Sequence, residues 1–435
     1  MALGPIALCV GVLSRRRAAL LVLGGLSVAV MSFHAREGVQ PVESREWVGV
    51  VQLVSDPQTY PGRVVADVDS DLGRLELTAT GRAASVTRQA FAGRRLRVGG
   101  TLRLLTHPER AEYRHVRMAL SVSEASLQGG ADLWRIPVDF VRNAILNGGK
   151  ALPAEQRPVY SGFVIGDDRG SSDDVVRDFE NSGLSHLLVV SGENVIFIIA
   201  LATPLASRLP RRPRIFVLTL VLLLFAAVTR FEPSVLRATA MALLAVVGAA
   251  SGRPLNARRR VAVAVALLLL IDPLLVESLG FRLSVAATVG ITLLASGLAR
   301  RLRGPNWLRQ VLAITIAAQI FVAPLVIPSF GPMPLASLPA NVLAEPVAGF
   351  VMMWGSSVGL LAGVLGGWPA VVLQAPVRLG VWWIMTVAKW CSGLPLPRLT
   401  LSAIVALSVG AATVARVHSS QFWQRRTRLG RVSAG

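Results

Sequence analysis

Hydrophobic and polar positions fall into distinct regimes along the chain. Met1 to Leu13 is apolar, Arg15-Arg16-Arg17 follows, and a second apolar run extends from Ala18 to Phe33. This opening fits a signal peptide or an uncleaved anchor; no Ala-x-Ala site follows it, so an anchor over residues 1–34 is expected, its arginine end in the cytoplasm. Residues 44–127 alternate with period two, as in Trp47-Val48-Gly49-Val50-Val51, Arg74-Leu75-Glu76-Leu77-Thr78 and Thr101-Leu102-Arg103-Leu104-Leu105. With turn signals at Asp56-Pro57, Pro61-Gly62 and Gly99-Gly100, this predicts about five strands and a small OB-like β-barrel.

Residues 131–182 read as an amphipathic connector. A helix is expected from Asp132-Leu133-Trp134 to about Asn147-Gly148-Gly149, with Ile136, Phe140 and Ile145 on its apolar side. Acids then gather at Asp167, Asp168, Asp173, Asp174, Asp178 and Glu180; the paired aspartates could bind Mg²⁺ or Ca²⁺, but acids in an outward loop read first as solvated side chains.

From Gly183 to Ala415 apolar runs dominate. Arginine clusters at 208–214, 253–260, 300–309 and 416–428 alternate with arginine-poor turns at Phe231-Glu232-Pro233, Asp272 to Glu277 and Phe330 to Pro334. Arginine-rich loops stay inside, so residues 34–183 are expected outside and the C-terminus inside. Spans are expected near 18–33, 184–206, 213–229, 234–250, 258–274, 280–298, 308–328, 340–365 and 398–416. Segment 369–393 is ambiguous, because Pro376 and Arg378 suit a helix lying at the interface. The expected fold is thus a polytopic α-helical membrane protein of about 8–11 spans. An extracytoplasmic β domain (44–127) precedes the membrane domain (183–416) and a basic cytoplasmic tail (417–435).

Composition agrees. Hydrophobic residues make up 53% and charged residues 16% of the 435, against about 25% charged in soluble domains. Between Gln310 and Ala415 the only charges are Glu345, Arg378, Lys389 and Arg398, which excludes a purely cytosolic enzyme. The net charge of +20 is carried almost wholly by arginine, with lysine only at 150 and 389. The excess fits cytoplasmic-loop anchoring or a polyanionic partner. Cys9 and Cys391 show no pairing or metal spacing.

Polar residues collect in the apolar run from Ser182 to Val195, which holds His186, Ser191, Glu193 and Asn194. On an unbroken helix, His186, Val190 and Asn194 would share a face. A break at Ser191-Gly192 would instead expose backbone N–H groups at membrane depth and aim a helix N-terminus at an anion such as phosphate. A kinked helix bonded to its neighbours is the other reading.

Gly166-Asp167 through Phe179, and Gly183-Leu184-Ser185-His186-Leu187-Leu188-Val189-Val190-Ser191-Gly192, resemble the signature of the ComEC competence family. That family forms the inner-membrane DNA-uptake channel. Further matching stretches follow in order: Pro233-Ser234-Val235-Leu236-Arg237-Ala238-Thr239-Ala240-Met241 with Gly252-Arg253, Asp272-Pro273 with Gly280-Phe281-Arg282-Leu283-Ser284, and Asn341 to Pro346. The resemblance covers roughly residues 44–400. It implies a multi-pass inner-membrane component that translocates single-stranded DNA into the cytoplasm. Its path would be lined by His186, Ser191, Gly192, Glu193, Asn194, Ser234, Arg237 and Asn341. The implied partners are DNA, membrane lipid, a DNA-receptor protein and a separate cytoplasmic ATPase, with a homo-oligomer as an option. No cofactor is implied.

Two departures stand out. Many relatives have Leu-His where this chain has Glu193-Asn194, and a carboxylate beside a polyanion's path repels it. Glu193 is therefore neutral, paired with an arginine such as Arg237, or off the path. Many members also carry a metallo-β-lactamase-like nuclease whose metals need a His-x-His-x-Asp-His cluster. The histidines here are His34, His107, His115, His186 and His418, so a chain without that nuclease, metal site or enzymatic activity is expected. Gly148-Gly149-Lys150-Ala151 is not a Walker A loop, so ATP-driven pulling is assigned to another protein.

Arginines at 82, 88, 94, 95, 97, 103, 110, 114 and 117 form a candidate phosphate track on the β domain, with Phe91 and Tyr113 as the only stacking platforms. Weak, salt-sensitive DNA binding and a purely structural role are both open. Two alternative functions also stand. One is a small-molecule or ion-coupled transporter with His186 and Glu193 as a proton relay; the other is a non-transporting scaffold.

Overall fold

The computed structural model describes residues 44–105, 114–129, 133–252 and 254–400. The expected anchor (1–34), Arg110, Tyr113, Asp132, Arg253, nearly all of the span 398–416 and the tail lie outside these residues.

The alternating segment forms a six-stranded sheet: β1 (Glu46–Leu53), β2 (Gln58–Tyr60), β3 (Arg63–Ser70), β4 (Gly73–Thr80), β5 (Arg95–Arg103) and β6 (Met118–Leu127). A helix, α1 (Gly81–Gln89), joins β4 to β5. Neighbours run β1–β5–β6–β4–β3, and β3 pairs again with β1 through Leu53↔Val68, so the pairing closes on itself. β4 and β6 are parallel, from Leu75↔Met118 to Ala79↔Val122. Alternation puts Trp47, Val51, Val64, Val68, Leu75, Leu77, Leu96, Val98 and Leu120 inside, and each such aliphatic side chain contributes about 1.5–3 kcal/mol. Gly99-Gly100 is not the expected turn. It lies within β5 at a register shift against β6, where a Cβ on Gly100 would stand 2.1 Å from the Ser121 carbonyl oxygen. Only glycine allows that bulge to close.

Beyond the sheet the chain is helical: α2 (Ile136–Gly149), α3 (Arg157–Ile165), α4 (Asp173–Ser182), α5 (Ser185–Leu188), α6 (Gly192–Ala206), α7 (Arg211–Val228), α8 (Pro233–Ala250), α9 (Ala257–Ile271), α10 (Leu279–Arg301), α11 (Asn306–Phe330), α12 (Ser337–Leu365) and α13 (Gly367–Ser392). Among the described residues, α8, α10, α11, α12 and α13 are long and apolar enough to cross a membrane. This is a multi-pass membrane protein. The ambiguous segment 369–393 is one continuous helix of 26 residues with Pro376 inside it. The expected span 184–206 is interrupted, leaving α6 with 15 residues, or about 22 Å of helix. That is shorter than the roughly 30 Å hydrocarbon core. The expected spans 213–229 and 258–274 appear as α7, of 18 residues, and α9, of 15.

The connector differs from its pattern. Ile136 and Phe140 are exposed, whereas Val138, Arg142, Ala144 and Ile145 face inward. α2 is turned this way because it lies flat on the last turns of α12. A Cβ on Gly363 would stand 1.6 Å from the Ala144 carbonyl oxygen. Gly363→Ala must therefore push two backbones apart, and we expect a loss of about 1–3 kcal/mol from overpacking. Thermal unfolding of the detergent-solubilised chain checks this, with Gly297→Ala, which meets nothing within 4 Å, leaving the midpoint unchanged or higher.

Candidate functional site

The run from Ser185 to Ala206 is two helices separated by an extended link. α5 ends at Val189 (φ −106°, ψ 139°), and Ser191 (φ −97°, ψ 166°) caps α6, its Oγ accepting from the Glu193 N–H at 3.2 Å. A serine before glycine suits this cap, since its oxygen satisfies one of the orphan donors of the first turn. Two neighbours hold the link. The Ser234 Oγ, in the first turn of α8, donates to the Val190 carbonyl at 2.7 Å. The Asn194 side chain, 3% exposed, donates from Nδ2 to the Phe163 carbonyl in the last turn of α3 at 2.7 Å. Asn194 thus anchors the break rather than facing an open path. His186, Val190 and Asn194 do not share one helix face, because the helix is interrupted between them.

Gly192 opens α6 against the guanidinium of Arg237. A Cβ there would lie 2.6 Å from Arg237 Nη2. Arg237 is only 7% exposed; its Nε donates to Ser284 Oγ at 2.8 Å and its Nη1 contacts Met241 Sδ at 3.3 Å. No carboxylate among the described residues pairs with it, so of the three alternatives for Glu193 the pair with Arg237 is not formed, and a neutral or off-path carboxyl stays open. A helix N-terminus and a guanidinium therefore converge on one spot, and both favour an anion.

α12 borders the same break. Gly349 packs against Phe197 of α6, a Cβ there meeting its ring at 2.8 Å, so the stripe Asn341–Glu345–Gly349 faces the stripe Glu193–Phe197. His186 Nε2 stands 3.9 Å from Glu345 Oε1. Asn341 is buried, and its Oδ1 has no hydrogen-bond partner among the described residues. His186, Ser191, Gly192, Glu193, Asn194, Ser234, Arg237 and Asn341 are thus brought to one region. Glu345 joins them; it was visible as one of four charges in a hundred-residue apolar stretch.

The β domain meets the helices through a buried ionic cluster that no spacing predicts. Arg142 of α2 pairs with Asp56, from the β1–β2 turn, and with Asp167 at 3.1 Å, and donates to the Val228 carbonyl at 2.7 Å. Arg230 reaches Asp56 at 3.1 Å, and Arg169 reaches Asp167 at 2.6 Å. Burial raises the Asp56 carboxyl, but Arg142 and Arg230 outweigh it and hold the group well below the usual carboxylate range. Asp167 is therefore a buried ion-pair partner and not a solvated acid. A second tie joins His115 Nε2 to Asp272 Oδ2 at 3.0 Å. The sheet domain thus sits on the turns around 230 and 272, both from the arginine-poor set.

The arginine track divides. Arg82, Arg88, Arg94, Arg95, Arg97 and Arg103 are exposed, with Arg95 and Arg97 on the outer face of β5 opposite Gln52 and Val50. Arg114 is engaged by Asp67 at 2.7 Å and Glu76 at 2.6 Å, and Arg117 by the Leu72 carbonyl at 2.9 Å. Phe91 is covered by the Arg169 guanidinium, 5.6 Å from its ring centre, and so is not an open stacking platform.

The competence-protein family matches residues 163–424, which include the end of α3 and all of α4 through α13. ComE operon protein 3 of Bacillus subtilis (strain 168) is 26% identical over 212 residues, covering 48% of this chain and 27% of that protein. The chain therefore aligns with little more than a quarter of that relative's length. No solved structure matches. Because the family match spans more than half of the chain, including the helix break and both stripes that border it, this chain belongs to the competence-protein family.

Proposed function

We propose that the chain is a channel component that passes single-stranded DNA across the cytoplasmic membrane during competence. The observation that carries this reading is the break at Val189–Ser191. There the N-terminus of α6 and the buried Arg237 guanidinium, unpaired with any described carboxylate, meet among apolar helices. Interrupted helices are tolerated at membrane depth only where protein or a water-filled cavity covers them, and transporters use them to bind charged groups. A passing phosphate is an anion of the right kind. The work is steric and electrostatic; no bond changes.

In this reading the β domain is an OB-type barrel. Its closed pairing, parallel β4–β6 ladder and helix between β4 and β5 all support that. It receives DNA on the outer face, its exposed arginines at 82, 88, 94, 95, 97 and 103 contacting phosphates without reading bases. Further spans beyond the five long apolar helices, a DNA receptor and a separate ATPase belong to the same proposal.

Proteoliposomes holding the full chain test it directly. Labelled single-stranded DNA added outside is expected to become protected from nuclease, above the level in protein-free vesicles; equal protection in the two would contradict the channel. Changing Arg94, Arg97 and Arg103 to Gln is expected to weaken capture. Each lost phosphate contact should reduce the slope of log K against log salt by about 0.7. An unchanged slope would assign the β domain a structural role.

A further inference from the structure

Glu193 and Glu345 oppose a phosphate path, yet both border the break. Glu193 opens α6, and Glu345 lies inside α12, an apolar helix long enough to cross a membrane. Packing of Phe197 on Gly349 brings their two stripes face to face. Among the described residues neither forms an ion pair with an arginine or lysine; the one partner found is His186, 3.9 Å from Glu345. A lone carboxylate at membrane depth costs about 2.5–3.5 kcal/mol on insertion scales, and two near each other resist joint ionisation. One helical turn before Glu345, on the same stripe, the Asn341 Oδ1 is an acceptor with no donor, in a residue 6% exposed. A buried acceptor without a donor costs about 1–3 kcal/mol, and a protonated carboxyl on this stripe is the donor it lacks.

We propose that Glu193, Glu345, His186 and Asn341 form a proton-binding site beside the helix break. The ligand proposed is a proton. Binding converts one carboxylate to a neutral carboxyl that donates to a neighbouring oxygen, and release restores the charge. His186, half-exposed, is the group of the four placed to pass the proton in and out. The other charged groups on the elements packed around the pair have partners of their own or are exposed: on α2, Arg142 is held by Asp56 and Asp167, and Asp139 stands 3.8 Å from Arg230. Arg237 of α8 is held by Ser284, and Arg214 at the start of α7 by the Ser207 and Leu209 carbonyls. Arg211, Arg212, Arg378 and Lys389 are exposed, Arg309 is bonded to Asn306, Arg157 donates to the Leu152 carbonyl, and the Tyr160 hydroxyl accepts from Gln374. The consequence for DNA rests on the channel reading: a protonated pair removes negative charge from the path, so the site gates a polyanion.

The test is pH-difference infrared spectroscopy of the full chain in lipid, paired with DNA entry into the same vesicles. A protonated-carboxyl band that titrates in the wild type, disappears in Glu193→Gln/Glu345→Gln and shifts its titration in His186→Gln is the expected result. Absence of the band from the wild type, or its persistence in the double variant, overturns the site whatever DNA does. DNA entry is expected to follow the band's titration in the wild type and to lose its pH dependence in the double variant; matching pH profiles would overturn the gating. A wild type that shows the band but admits no DNA supports the proton site and sinks the channel reading alone.

Discussion

Gly192→Leu is expected to abolish DNA uptake while leaving the chain folded in the membrane. A Cβ at this position would stand 2.6 Å from Arg237 Nη2 and 3.1 Å from the Ala238 Cβ. The leucine must therefore displace the guanidinium and fill the space in front of the α6 N-terminus. Both contributions to anion binding are lost together: the dipole end, which contributes up to about 2 kcal/mol when partly buried, and the fixed cation. Gly192 is at the first turn of a helix, where leucine is a good helix former, so the helix itself is not compromised. Transformation frequency measured beside the amount of protein in the membrane fraction separates the outcomes. Normal transformation with normal protein levels would remove the break from the path. Asn194→Leu acts differently, because it leaves the Phe163 carbonyl without its donor and lets the link at Val189–Ser191 move.

Arg142→Leu carries the largest expected effect on stability. Asp56 and Asp167, both buried, would keep their charges and lose their shared guanidinium. Breaking a buried pair from one side costs about 3–5 kcal/mol when the remaining charge is stranded; Asp56 keeps Arg230 and Asp167 keeps Arg169, so the lower end of that range is expected. The loss is expected as a lower thermal midpoint and as faster proteolysis of the β domain, which this cluster ties to the helices. Adding Asp56→Asn and Asp167→Asn should recover part of it, since non-additivity reports the coupling directly. The pH dependence has a definite sign. The folded-state pKa of Asp56 is depressed, so its contribution is complete above the ordinary carboxylate pKa of about 3.9 and fades only as pH falls through the folded value. The gap between wild type and Arg142→Leu should therefore be full at neutral pH and narrow in acid. A gap that stays constant into acid would place the stabilisation elsewhere.

Sequence and structure agree where the relevant physics is local. Period-two alternation locates the strands because burial on one face of a strand follows from the pleat. Ser191-Gly192 marks the break because a capping serine before glycine is itself a helix start. Long apolar runs locate α8 and α10 through α12 for the same kind of reason. The unread features depend on partners distant in the chain. Arg142 finds Asp56 86 residues away, and nothing in the Asp56-Pro57 turn announces that partner. The inward side of α2 is set by the glycines of α12, so Ile136 and Phe140 look like core positions and are not. Gly99-Gly100 has the composition of a turn, yet the approach of Ser121 makes it a bulge. Glu345 was legible as a rare charge in an apolar run, but its neighbours, His186 of α5 and Glu193 of α6, come from a segment far earlier in the chain that only the fold brings near. Arg114 carries the charge of a phosphate contact and is occupied by Asp67 and Glu76, which only the folded sheet brings near.

Passage of DNA through the helix break is decided by uptake of labelled DNA into a strain deleted for this chain, complemented with the wild type or with Gly192→Leu. Nuclease-protected label is expected inside cells carrying the wild type, and none above the deletion background in cells carrying the variant. Equal internal label in the deletion strain and the complemented strain would contradict it.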